Sequence, residues 1–199
     1  GIYFTADIDK STGATIYNAE IRPYIGSWVD FTLSKNNTIE AKINKKRKFL
    51  ATSFIRSFSE LSDSAILDLF SDIDKELVHK FISSTIEKDV YKTKDDAVLE
   101  IYRKLKPGEP LILKNAYDTL HNLFFNKRRY SLAPVGRYKI NKKLGLSIPI
   151  EKNNFTITLE DVVATIKYLI RLTAGIGKFD DIDHLTNRRI RTVGELVEM

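Results

Sequence analysis

The chain has 199 residues, 43% apolar and 29% charged, a globular balance long enough for one ordinary domain or two small subdomains sharing a core. The formal net charge is +6, and the absence of cysteine rules out disulfides and thiolate metal sites and suits a cytosolic setting. No apolar run approaches the ~20 residues that span a bilayer, and no charged start followed by an apolar block marks a secretory signal, so a soluble protein without a membrane partner is expected.

In chain order, the first forty-odd residues read as strands. "IYFTAD", "ATIYNAEIRPY", "SWVDFTL" and "TIEAKIN" carry β-branched and aromatic residues in partial alternation, and "KSTG", "IGS" and "SKNN" break them. The short breaks predict an antiparallel meander. After Lys48 the apolar spacing becomes helical. "FLATSFIRSF" is a short apolar helix, and "SDSAILDLFSD" follows with Ser62 at its N-cap and Ile66, Leu67 and Phe70 on one side. "IDKELVHKFISSTIEK" places Leu77, Val78, Phe81 and Ile82 at helical spacing. Thr93 and Asp96 begin the next helix as a capping-box variant, which buries Ala97, Val98, Ile101, Tyr102 and Leu105 and stops at Pro107-Gly108. "KNAYDTLHNLFF" puts Ala116, Leu120, Leu123 and Phe124 on one face. The clearest stripe is Leu159, Val162, Val163, Ile166, Leu169 and Ile170, capped by Thr158 and ended by Gly175. "KLGLSIPIEKNN" reads as the main internal loop, and Thr192 with Glu195 as a capping box opening a last helix. Strands followed by helices give an α+β fold, an N-terminal antiparallel meander and then a mainly helical portion. Soft divisions fall at residues 1–58 (β-rich), 59–105 (a small helical lobe) and 106–199 (helices returning to the core).

Charge is unevenly spread. Between Ala41 and Ser59 lie Lys42, Lys45, Lys46, Arg47, Lys48 and Arg56 with no acid, and between Asn126 and Ile150 lie Lys127, Arg128, Arg129, Arg137, Lys139, Lys142 and Lys143, again with none. Such clusters either form solvated faces or neutralise phosphates and release counterions. Fingerprints of phosphate loops, a serine nucleophile elbow and HExxH are absent. His79 and His121 sit in predicted helices as ordinary surface or boundary residues. "DDIDH", with Asp180, Asp181, Asp183 and His184, invites a metal or acid/base reading, but adjacent residues point in different directions and Arg188, Arg189 and Arg191 would repel a cation.

Five strings carry a resemblance. "IYNAEIRPYIGSWVDF", "KRKFLATSFIRSF", "LEIYRKLKPGEP", "NLFFNKRRYSLAPVGRYKINKKLGL" and "DDIDHLTNRRIRTVGEL" occur in order and together span nearly the whole chain. They resemble the β subunit of bacterial-type DNA-directed RNA polymerase, specifically its lobe domain on one side of the downstream DNA cleft. The opening "GIYFTADID", already strand-like, and a sole methionine at Met199 fit a piece of a longer polypeptide. The long insertion that some members carry between the "ILDLF" and "LEIYR" helices is absent.

The resemblance implies a nucleotidyltransferase whose catalytic residues lie outside this segment, with magnesium held by the β′ subunit and no cofactor here. The rifamycin pocket would lie mostly beyond Met199. The implied partners are the β′ and α subunits, sigma factor, downstream duplex and non-template DNA, in a cytoplasmic, nucleoid-associated assembly. In the family, residues matching Ile182, Asp183 and Arg188 line a pocket for an unpaired non-template guanine. An ionised carboxylate suits the two N–H donors of that base edge, and an arginine can stack on a base or hold a phosphate. Thr186 stands where the family usually has glycine. The runs Lys45, Lys46, Arg47, Lys48 and Arg137, Lys139, Lys142, Lys143 match the family's basic regions and would meet phosphates or acidic parts of sigma. From the residues alone, a free-standing metal-dependent hydrolase built on the Asp/His cluster and a basic protein-interaction module remain the alternatives.

Overall fold

The computed structural model describes residues 1–180. Strands β1 (Ile2–Ile8), β2 (Thr15–Ile21), β3 (Val29–Leu33), β4 (Ile39–Ile43) and β5 (Phe49–Leu50) form one antiparallel sheet in sequence order. This is the expected meander, with one addition. Phe49 and Leu50, assigned from sequence to the start of a helix, instead pair with Ala41 and Glu40 and close the sheet.

Alternation decides the two faces of the sheet. Ile2, Phe4, Ala19, Ile21, Val29, Phe31, Ile39, Ala41 and Ile43 point inward and are buried. Register brings Tyr3, Glu20, Asp30 and Lys42 into one row across the opposite face. Helix α1 (Ala51–Phe58) packs on the inner face, and its Phe54 ring meets those of Phe31, Phe49, Phe58 and Phe124 at 5.2–6.4 Å between centroids. Such tilted and edge-on pairs favour a fixed aromatic centre.

The helical portion follows as the periodicity indicates. Ser62 caps α2 (Asp63–Leu69) by accepting from the Ala65 N–H at 3.1 Å, and Thr93 caps α5 (Lys94–Leu105) by accepting from Asp96 at 3.1 Å. Between them α3 (Lys75–Leu77) runs through a π-helical stretch, Val78–Ser83, into α4 (Ser84–Lys88). A second π-helical stretch, His121–Phe125, extends α6 (Leu113–Leu120). Helix α8 (Leu159–Thr173) has the full reciprocal capping box of Thr158 and Asp161. It ends with Gly175 N–H on the Leu172 carbonyl and Ile176 N–H on the Arg171 carbonyl, the paired bonds of a Schellman stop.

Helix α7 (Ala133–Leu144) has no counterpart in the sequence reading. Its buried positions are Gly136, Arg137 and Ile140, so it shows no apolar stripe. Pro134 sits in its first turn, where a missing N–H costs nothing.

Candidate nucleic-acid interface

The first basic run forms the turn between β4 and β5. Lys46 N–H reaches the Ile43 carbonyl at 3.0 Å, and the two central residues, Asn44 and Lys45, are left-handed at φ 52° and 61°. Asparagine tolerates that region, whereas lysine enters it only when something holds it there. Asn44 is clamped to the residue before β3: its N–H donates to the Trp28 carbonyl and its Oδ1 accepts from the Trp28 N–H, both at 2.9 Å. Lys45 folds back over the outer face, its Nζ 2.6 Å from Glu20 and 2.8 Å from Asp30.

Those carboxylates are cross-strand partners, and both are buried. Burial opposes the Lys45 charge, but the two carboxylates outweigh it and hold the ammonium above the ordinary lysine pKa. Burial likewise works against ionised Glu20, yet hydrogen bonds involving Lys45, Asp30 and Arg22 leave it below the usual glutamate value. For Asp30 burial dominates, and its pKa is raised. Arg22 completes the cluster: its Nε donates to Glu20, and its guanidinium lies 4.8 Å from the Tyr3 ring and 4.7 Å from that of Trp28. Each contact is at cation–π range.

The members of the first run therefore differ. Lys45 is neutralised locally, and Lys48 lies 3.2 Å from Glu40. Lys46 and Arg47 are exposed and make no salt bridge among the described residues. Lys46 borders a cleft of about 440 Å3 with Lys106, from the loop after α5, and Arg129, from the segment before α7. Three segments far apart in sequence thus supply cations to one concavity. Lys106 escapes sequence reasoning because it shares no local pattern with Lys46, and Arg129, counted in the second basic cluster, is joined to Lys46 only by the fold.

The second run divides more sharply. Arg137 is fully buried, and its guanidinium forks onto both Asp161 oxygens at 2.7 Å. Its Nε also donates to the Asn154 carbonyl at 2.9 Å. The expectation that Arg137 meets phosphate is corrected: its donors face α8 and the loop before it, away from solvent. Lys139 and Lys142 are exposed, and with Lys143, Lys178, Tyr3 and Tyr168 they line a groove of about 510 Å3. Lys143 is partly engaged there, lying 5.1 Å from the Tyr168 ring and 3.6 Å from Asp180.

Asp180 pins the end of the described chain to the first strand. Its N–H donates to the Phe4 carbonyl at 2.9 Å, and its Oδ2 accepts from the Phe4 N–H at 2.7 Å. Ile182, Asp183 and Arg188, and the helix expected from Thr192, lie outside the described residues. So do Asp181 and His184.

Trp28 is a further residue that no sequence pattern marks. It is the only tryptophan, is 38% exposed, and stands directly against the basic turn with Arg22 over its ring.

Comparison with known proteins gives the chain's family. Residues 1–191 match the family described as RNA polymerase Rpb2, domain 2. Over an alignment of 210 residues the chain is 40% identical to the DNA-directed RNA polymerase subunit beta of Streptomyces coelicolor, with 100% of this chain and 17% of that relative covered. The chain therefore spans about a sixth of that subunit's length. With the family match extending from the meander through α8, the chain belongs to the second-domain family of Rpb2-type RNA polymerase subunits.

Proposed function

We propose that this domain serves DNA-dependent RNA synthesis as a wall of the downstream DNA cleft, guiding duplex and non-template strand without itself catalysing bond formation. The observation that carries this reading is the cleft that gathers Lys46, with Arg47 next to it in sequence, Lys106 and Arg129, none of which makes a salt bridge among the described residues. Cations gathered from separate segments into one concavity suit a polyanion. Lys139, Lys142 and Lys143 form a second contact region, and Lys48 assists while paired to Glu40. The indole of Trp28 offers a face on which an unpaired base can stack next to these cations. Assembly with the β′ and α subunits, contact with sigma factor and a place at the nucleoid belong to the same reading.

Salt dependence tests it. In polymerase assembled from the full-length subunit, Lys46→Gln with Arg47→Gln should flatten the slope of log K against log salt by roughly 1.8, about 0.9 for each phosphate no longer neutralised. A slope equal to that of the unaltered enzyme would refute phosphate binding at this turn.

Ile182, Asp183 and Arg188 are the residues we propose for the unpaired non-template guanine, a reading supported by the resemblance of their motif to the family's. Asp183→Ala should reduce the preference for guanine at the downstream fork by roughly 1–3 kcal/mol, the discrimination that a bidentate pair with a base edge supplies. Competition among fork templates that differ only at that base measures it, and an undiminished preference for guanine sinks the assignment.

A further inference from the structure

Glu20 and Asp30 stand out because they are acidic residues buried on the sheet face that carries the basic turn. Glu20 uses both oxygens, one on Arg22 and one on Lys45, and Asp30 uses Oδ2 on Lys45. Asp30 Oδ1 is buried without a hydrogen-bond partner among the described residues. The two acids and two bases sum to zero charge, in a region that the sequence presents as strongly basic. Lys45 remains 59% exposed and Arg22 32%, so a phosphate could reach either cation only by competing with carboxylates already in contact.

We propose that Glu20 and Asp30 form an internal counter-anion that withholds Lys45 and Arg22 from DNA phosphate and so brakes sequence-independent binding at the basic turn. The brake rests on the DNA-contact reading of that turn. Gains in affinity from phosphate contacts come mainly from counterion release, and a cation already neutralised by a carboxylate has little counterion to release. Lys46 and Arg47 are then the contacts in force, while Lys45 and Arg22 join only where the carboxylates are neutralised.

The test uses polymerase assembled from the full-length subunit and a short non-promoter duplex, with binding measured across salt. Glu20→Gln combined with Asp30→Asn should strengthen binding and steepen the salt slope by roughly 1–2, the contribution of one or two freed cations at about 0.9 each. Adding Lys45→Gln to that pair should remove about half of the gain. Lys45→Gln alone should leave affinity and slope as they were. That single variant alters an exposed side chain and stays informative even if the double acid variant folds poorly. A drop in affinity from Lys45→Gln alone as large as that from Lys46→Gln would overturn the brake, as would an unchanged slope in a folded acid-pair variant. The DNA-contact reading fails separately, if Lys46→Gln with Arg47→Gln leaves the slope intact.

Discussion

Replacing Arg137 with methionine should lower the free energy of unfolding by about 3–5 kcal/mol, the usual cost of stranding one member of a buried ion pair. Both side chains are essentially inaccessible, at 0% for Arg137 and 1% for Asp161. Asp161 also accepts from the Thr158 N–H and hydroxyl at 2.9 Å, so one carboxylate caps α8 and anchors α7. Losing the guanidinium leaves Oδ1 of that buried charge without its donor, while Oδ2 keeps only Thr158. Typical domains have ~5–15 kcal/mol of stability in total, so this single change removes a large share. Lysine should not rescue it, because a point charge cannot reproduce the two parallel bonds or the bonds to Asn154, Asn141 and Thr156. Pairing Arg137→Met with Asp161→Asn should recover part of the loss, since a neutral amide still caps the helix. Urea denaturation followed by far-ultraviolet circular dichroism measures all of these, and a loss under 1 kcal/mol for Arg137→Met would contradict a buried pair.

Gly26→Ala is the second large effect. Its backbone lies at φ +119°, and an added Cβ would sit 2.8 Å from Tyr130 Cδ2 and 3.0 Å from the Arg129 carbonyl oxygen. Backbone strain of roughly 1–3 kcal/mol and overpacking of roughly 1–3 kcal/mol act together, giving an expected loss of about 2–6 kcal/mol. The neighbouring Ile25–Ser131 bridge, with bonds of 2.9 and 3.0 Å, prevents the two segments from parting to make room. Gly13→Ala is the control, with φ +74° but open space around the added methyl group. It should cost about 1 kcal/mol, the strain of one left-handed residue. Equal midpoints for the two variants would show that the Tyr130 ring yields freely.

The order of strands and helices was readable because local chemistry and tertiary packing agree. The turn residues of "STG" and "KNN", the caps Ser62, Thr93 and Thr158, and the stripe on α8 each state their role within a few residues. Helix α7 was invisible for the opposite reason: its inward position is held by Arg137, whose burial depends on Asp161, 24 residues away. The π-helical stretches at Val78–Ser83 and His121–Phe125 leave an apolar helical pattern almost unchanged, so spacing could not separate them from ordinary turns.

The site shows the same limit. Basic runs could be counted, but the sorting of Lys45 and Arg137 from Lys46, Arg47, Lys139 and Lys142 depends on acids elsewhere in the chain. Glu20 and Asp30 lie on β2 and β3, and they meet Lys45 only because the sheet register sets them side by side. Runs of like charge therefore identify a region. Cross-strand partners decide which of its cations remain available.

The reciprocal bonds between Asp180 and Phe4 join two passages of the chain that are 176 residues apart. Nearly all of the sheet and the helices hang between those passages, as a loop of rope hangs from one knot. Both passages also border the groove lined by Lys139, Lys142 and Lys178. Losing either bond would therefore loosen one wall of that groove together with the edge of the sheet.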